Sequence, residues 1–483
     1  MPSSFSHQSD RNIKSYVTAT QVKACLFTTV HPIKIAKLAT RSGFRSRKSA
    51  FSPCAYVNAL LTVVGGSNNL SFATITREYN LLSGQGIRNK PFHNKLKTDG
   101  HLNFITGLYN DIVASFCKRY FPQQGINLLN TLQQSGLDIE DIVAVDGTYW
   151  HVNGALAHLC KGKRTALQPQ VISNTYEPDG KASVQAIKNA QLGMYTTYSL
   201  VNGFIKDCTI NAGNVDERQQ VHPDLRHPQL FIMDCGYTDY QLFTAIDDSG
   251  SYFLTKGRAN MRATVTQCMI NGKRESCLEQ MDLSAKEVRQ YKRLSKADLT
   301  IYLPSIKRHV RVIRIYSAKQ QKVTFLMTDI PATILSADKV AALYKTRWQI
   351  EIFFKALKSG VNLRGIKTRF INIILALLLV SIICALLKHM VYLFLEQTLK
   401  HTSLLKIYLS KTSWWKDFVS YYLSGQMKQL GKLMKRLMQS GDGYRRSPVS
   451  RVRKAQLKSF DAVILKIAST GSGTDTGNTF MYA

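Results

Sequence analysis

The sequence predicts a mixed α/β fold, and three observations carry that prediction. Short apolar runs of strand character alternate with helical periodicity through the middle of the chain. Two of those runs, 142–145 and 230–233, each end in an aspartate, Asp146 and Asp234, with a glycine within the next two positions. A later stretch, 343–360, is rich in Leu, Ala, Lys, Arg, Gln and Glu and has no Pro or Gly before Gly360. It reads as a helix that begins after Ser336, a plausible N-cap.

That helix is the organising element. At about 100° per residue, Tyr344, Arg347, Glu351 and Lys358 fall on one face, with Ile350, Phe353, Phe354 and Leu357 as an apolar band beside it. Arg347 and Glu351 can form an ordinary i,i+4 surface pair. The spacing Y-x2-R-x3-E-x6-K, together with two aspartates upstream, points instead to a site.

Taken in order, residues 1–50 hold nine Lys/Arg against Asp10 alone and read as a basic arm, ordered in part. Residues 51–135 read as a helical DNA-binding domain. Within it, 71–79 and 88–96 resemble a helix-turn-helix, with Arg88, Lys90, Lys95 and Lys97 near its second helix; a plain helical hairpin gives the same pattern. Residues 136–248 form the first part of a core. Strands at 195–201 and 204–210 flank Asn202-Gly203, a hairpin signal, and 239–246 follows as a helix. Residues 249–322 read as a β-rich insertion, with strands near 252–255, 264–270, 299–303 and 310–316 and a second hairpin at Asn271-Gly272. The core resumes over 323–400. A helical basic C-terminal region spans 401–468, and 469–483 reads as a disordered tail.

Composition narrows the partners. The 483 residues include 64 Lys/Arg against 31 Asp/Glu, a net charge of +33, which calls for a polyanion: nucleic acid first, an anionic membrane surface second. Nine cysteines, an odd number with no CxxC, argue against a secreted disulfide scaffold and for free thiols in a reducing compartment. No apolar signal segment is seen near the N-terminus. Residues 370–387 are uncharged and long enough to span a bilayer, but basic residues flank both sides and give no orientation signal, and a buried core helix is the favoured reading.

Three carboxylates, Asp146, Asp234 and Glu351, make an oxygen-only donor set suited to hard divalent cations. A pair of Mg²⁺ ions there can activate an attacking oxygen and stabilise a leaving one in phosphodiester chemistry. His151, His158 and Cys160 lie close in sequence without a recognised zinc spacing. Asp247-Asp248 reads as a solvated turn. Asp216-Glu217 falls between the two aspartate strands and is a further acidic candidate near the active site, with no geometry to place it.

The motifs Asp146-Gly147-Thr148, Asp234-Cys235-Gly236-Tyr237 and Tyr344-x2-Arg347-x3-Glu351-x6-Lys358 resemble the DDE transposases of the insertion-sequence-four group. The resemblance runs from about residue 50 to about 390. The segment from Phe253 to Arg258 also looks like the family's strand after the second aspartate. Cys235 stands where a basic residue is common, and Lys256 where arginine is usual.

The resemblance implies a ribonuclease-H-like α/β core, interrupted by the β-rich insertion and flanked by helical DNA-binding and basic C-terminal regions. It implies Asp146, Asp234 and Glu351 as catalytic metal ligands, with two Mg²⁺ ions that Mn²⁺ can replace. Tyr344, Arg347 and Lys358 match phosphate-contacting positions; Tyr237, Lys256 and Arg258 are further DNA-contacting candidates. The implied function is binding of the element's own inverted-repeat ends, hydrolytic strand cleavage and 3′-hydroxyl strand transfer. The expected partners are end and target DNA and a second copy of the chain in the complex; no membrane is expected, and the setting is the bacterial cytoplasm, on the nucleoid. Two other classes are a catalytically inactive, repurposed DNA-binding protein and a basic membrane protein resting on 370–387 alone.

Overall fold

The computed structural model describes residues 31–45, 50–66, 70–119, 123–162, 190–258, 261–290, 295–304, 307–318, 321–360, 368–398, 402–410 and 414–440, with 444, 463, 466 and 467. The first thirty residues of the basic arm, most of the basic stretch 441–458 and the tail 469–483 lie outside the described residues.

Among the described residues six helices come first: α1 (Pro32–Arg41), α2 (Pro53–Gly66), α3 (Phe72–Ser83), α4 (Asn89–Leu96), α5 (Asp99–Arg119) and α6 (Gln123–Gln134). The sequence placed α1 inside a basic arm. It is instead a packed helix, capped by His31 and opened by Pro32, with Ile35 and Ala39 buried. The pair α3–α4 matches the two helices expected around residues 71–96, and Ser71 caps α3. The cations of α4 are not all free to meet a ligand. Lys95 lies over the rings of Phe44 and Phe51, 4.9 and 4.8 Å from their centroids, and burial lowers its pKa.

Among the described residues ten strands form one sheet, in the order β3-β2-β1-β4-β5-β10-β9-β8-β6-β7. The strands are β1 (Asp141–His151), β2 (Gln191–Ser199), β3 (Phe204–Ala212), β4 (Gln229–Met233), β5 (Tyr252–Lys256), β6 (Thr264–Ile270), β7 (Lys273–Arg274), β8 (Lys296–Leu303), β9 (Arg308–Ser317) and β10 (Lys322–Thr328). Strands β1, β4 and β5 are parallel neighbours, and every other pair is antiparallel. Both expected hairpins form. Gly203 turns with φ +67°, and Asn271 and Gly272 both have positive φ, as a type I′ turn requires.

The insertion is thus not a separate layer. Its strands extend the core sheet edge to edge through β10, and β5, which the sequence assigned to the insertion, is the third parallel strand of the centre.

Side-chain alternation divides the sheet into two faces. Ile142, Ala144, Leu230, Ile232 and Leu254 join a helix-covered core; Val143, Val145, Phe231, Met233 and Phe253 join a second cluster with α7 (Tyr240–Asp248). Both faces are covered, which is why these central strands read as unbroken apolar runs.

The helical face is closed by α9 (Ala337–Tyr344), α10 (Trp348–Gly360), α11 (Ile371–Thr398), α12 (Leu404–Leu409), α13 (Trp414–Leu423) and α14 (Met427–Gln439). A short helix, α8 (Lys286–Gln290), belongs to the insertion. The chain from 343 to 360 is not one continuous helix. A 3₁₀ turn, Lys345–Arg347, separates α9 from α10, and the buried Thr346 hydroxyl donates back to the Leu343 carbonyl at 2.7 Å within it.

Helix α11 is long and apolar enough to cross a membrane by length and composition, yet it is packed inside the protein. Several of its polar groups find partners there. Ser381 donates to the Leu377 carbonyl at 2.6 Å, and the Asn372 amide donates to the Lys97 carbonyl at 3.1 Å and to Asp99 at 2.8 Å. The Lys388 ammonium is fully buried and donates to the carbonyls of Gly65 at 2.7 Å and Tyr408 at 2.8 Å.

Candidate active site

The two aspartates are brought together by strand register. The parallel pairing of β1 with β4 ends at Ala144 opposite Ile232. Asp146 and Asp234 each lie two residues beyond that rung, so they stand at one height on neighbouring strands. Two residues also return each side chain to the face of Ala144 and Ile232, the helix-covered one. Asp146 is not at a strand end, as the sequence suggested; β1 runs on to His151 and stays paired with β2, with Asp146 opposite Thr196.

Glu351 arrives on the same face because Ile350, Phe353, Phe354 and Leu357 bury α10 in the helical core. Phe353 meets Tyr198 of β2 and Phe204 of β3, with ring centroids 5.6 and 5.3 Å apart. Arg347 then stands between the carboxylates. One guanidinium nitrogen is hydrogen-bonded to Glu351, and another lies 3.5 Å from the Asp146 carboxylate. The i,i+4 surface pair weighed from the sequence does form, but as part of a three-residue arrangement with Asp146.

Burial pushes the Asp146 carboxyl up to about 6; Arg347 opposes this, and Asp234 and Glu217 add to it. Asp146 also accepts from the Gly147 amide at 2.8 Å. Asp234 caps a 3₁₀ turn (Cys235–Tyr237) by accepting from the Gly236 amide, and a Cβ on Gly236 would sit 3.0 Å from that carboxylate oxygen. The Asp234 carbonyl is held by the Thr255 hydroxyl of β5 at 2.8 Å.

The remaining candidates separate. Tyr344 is half-buried near Arg347, Asp234 and Cys235, and burial drives its phenol pKa upward. Lys358 is exposed, with its ammonium 5.7 Å from the Trp150 ring centroid. Arg258 is exposed and donates to the Cys235 carbonyl at 3.3 Å, on the rim beside Asp234. Lys256 ends β5 opposite Leu326 and is half-buried. Tyr237 is buried, near enough to Glu217 and Asp146 to feel their charges. It is 1% exposed in the second cluster, on the far side of the sheet from α10.

Of two further neighbours, the sequence raised Glu217 without placing it and did not raise Trp348. Glu217 accepts from the Tyr149 hydroxyl at 2.6 Å, and one of its oxygens would lie 3.0 Å from a Cβ on Gly147. A side chain at 147 would therefore displace Glu217, which gives the glycine after Asp146 a packing reason. Its neighbour Arg218 pairs with Asp216 and with Asp239 at 3.0 Å, tying this turn to the N-terminus of α7. Trp348 is 48% exposed between Arg347 and Glu351, an apolar surface beside the carboxylates.

The other sequence candidates lie elsewhere. His151 and His158 are exposed and Cys160 is buried. Asp247 pairs with Arg308 at 2.8 Å on the surface. The cysteines at 54, 160, 208, 235, 268, 277 and 384 are free thiols.

Comparison with known proteins decides the family. The transposase DDE domain matches residues 138–387, just over half of the chain. The chain belongs to the transposase DDE domain family. The match contains Asp146, Asp234, Glu351 and all the other site candidates named above. A protein of Sinorhizobium fredii (strain NBRC 101917 / NGR234) that carries a provisional transposase name, y4zB, is 25% identical over 200 residues, which cover 41% of this chain and 53% of that protein. The chain thus spans about half the length of the relative it matches.

DDE transposases generally use divalent metal ions. Among the described residues no three His, Cys, Asp or Glu side chains converge closely enough to ligate one. The chemistry of the donor set nonetheless suits a hard cation, because Asp146, Asp234 and Glu351 offer only carboxylate oxygen. A cationic group, Arg347, already lies between two of them.

Proposed function

We propose that the protein binds the inverted-repeat ends of its own insertion sequence and catalyses Mg²⁺-dependent strand cleavage and 3′-hydroxyl strand transfer. The observation that carries this is the register of β1 and β4. It sets Asp146 and Asp234 level on adjacent parallel strands, on the face where α10 presents Arg347 and Glu351.

Asp146, Asp234 and Glu351 would hold the ions. What two divalent ions supply to such a carboxylate set is activation of the attacking oxygen and stabilisation of the leaving one; Mn²⁺ can serve in place of Mg²⁺. Glu351 must exchange its contact with Arg347 for this role. The released guanidinium then has its fork free for a phosphate, with Tyr344 beside it and Lys358 two turns along α10. Arg258 and Lys256 extend the cationic rim at the end of β5, and Tyr237 acts from beneath as packing.

The finer assignments follow the same reading. The order β3-β2-β1-β4-β5, with its antiparallel flank and parallel centre, supports a ribonuclease-H-like core. Helices α2–α6 serve as the N-terminal DNA-binding region. The motif spacing supports the insertion-sequence-four group, and that resemblance implies a homodimer in the complex with end and target DNA and a bacterial cytoplasmic setting.

The test is cleavage of a labelled duplex carrying the inverted repeats that flank the reading frame. Mg²⁺ should give a nick with a 3′-hydroxyl at the element end, and EDTA should abolish it. Cleavage that persists in EDTA, or the absence of flanking inverted repeats, contradicts the proposal.

A further inference from the structure

A cavity lies away from the carboxylates, at the junction of α3, α4, the end of β1 and the start of α11. It encloses about 620 Å³, and Ser71, Phe72, His93, Asn153, Arg369 and Phe370 are among its walls. A second cavity of about 320 Å³ adjoins it; the two share Ala155, Arg369 and Phe370, and the second adds Lys97 and His158.

The walls combine cations with aromatic rings. His93 packs against Phe72 and Phe370 at 4.8 and 5.5 Å between ring centroids, and the Lys97 ammonium lies 4.2 Å from the Phe370 centroid. Arg369 is exposed at the point the two cavities share. Among the described residues that line them there is no Asp or Glu.

One cation, Lys358, lies on the way there from the carboxylates. Lys358 is seven residues past Glu351, roughly 10 Å along α10. It sits over Trp150 of β1, and Asn153, three residues beyond Trp150, is a wall of the larger cavity.

We propose that DNA leaving the carboxylate cluster passes Lys358 and enters this groove, with Arg369 and Lys97 on its phosphates and a sugar or base against Phe370 and His93. The inference rests on the transposase reading and adds to it a binding site outside the catalytic face. Charge complementarity selects the occupant, because a guanidinium and an ammonium facing a carboxylate-free groove match a phosphodiester chain. Aromatic walls accept sugars and bases without demanding a sequence.

The experiment is fluorescence anisotropy of the full-length protein on a fluorescein-labelled blunt duplex of arbitrary sequence, without Mg²⁺, over a series of salt concentrations. Arg369→Ala should shallow the log–log salt slope by about 0.9, and Arg369→Glu should weaken binding about tenfold or more at low salt. Ala155→Trp fills the shared wall without altering charge and should also weaken binding, with folding checked by circular dichroism. Lys273→Glu, on β7 at the far edge of the sheet, should lose less than Arg369→Glu. Wild-type slope in Arg369→Ala, wild-type affinity in folded Ala155→Trp, or equal losses in Arg369→Glu and Lys273→Glu would overturn the groove. Asp146→Ala separates the two proposals, because it should lose cleavage while its duplex affinity holds.

Discussion

At the scale of single residues, Asp146 carries the most physical tension. Burial raises its pKa to about 6 even with Arg347 beside it. A carboxyl whose folded pKa lies above its unfolded value costs stability once ionised. That cost is absent below about pH 4, grows as pH rises through the folded pKa, and is complete above it. Asp146→Asn should therefore stabilise the metal-free protein at pH 7, by up to about 3 kcal/mol, and have little effect at pH 4. Thermal unfolding at the two pH values checks this, and equal shifts at both would refute it. The sequence could point to Asp146, Asp234 and Glu351 because their spacing survives in one dimension. Glu217 was not assignable, since its place depends on a hydrogen bond to Tyr149, 68 residues away, and on the missing side chain of Gly147.

At the scale of elements, strands and hairpins were legible because alternation and Asn-Gly turns are local signals. The 3₁₀ turn at Lys345–Arg347 was not, because residues 343–360 are good helix formers throughout and the break depends on a buried hydroxyl. Helix α1 was hidden by its charge; Ile35 and Ala39 are its buried residues, and Leu38 packs against the core beside them. Helix α11 illustrates how composition alone leaves membrane and core undecided, and packing resolves it. Its Lys388 ammonium ties α11 to the carbonyls of Gly65 and Tyr408 and lies 5.1 Å from the Trp415 ring centroid. Lys388→Ala leaves those carbonyls buried without a donor and should cost about 3 kcal/mol or more. Denaturant unfolding measures it, and a loss under about 0.5 kcal/mol would show that water replaces the ammonium. Expressed protein should also stay in the supernatant after carbonate extraction. Membrane pelleting, with aggregates removed, would contradict the packed assignment of α11.

At the scale of the whole molecule, ten strands among the described residues share one sheet, so the carboxylate face and the insertion are parts of one scaffold. The division into core and insertion drawn from the sequence follows chain order, whereas the sheet joins β10 to β5 and erases that boundary in space. Net charge belongs to this scale too. With +33 over the chain, DNA affinity should fall steeply with salt, at about −0.9 per phosphate neutralised. Because α1 is packed, the basic arm should be removed only up to residue 30. That cut deletes three Lys/Arg and should shallow the slope by up to about three units; an unchanged slope would mean that these charges do not meet DNA. The central claim concerns three carboxylates acting together, and its most direct measurement is the rate at which alanine variants nick an end-containing duplex in Mg²⁺ or Mn²⁺. Asp146→Ala, Asp234→Ala and Glu351→Ala should each abolish nicking while end binding holds or tightens, and Asp247→Ala, on the surface beside Arg308, should nick at the wild-type rate. Wild-type nicking by Glu351→Ala, or loss of nicking in Asp247→Ala alone, would contradict the assignment of the site.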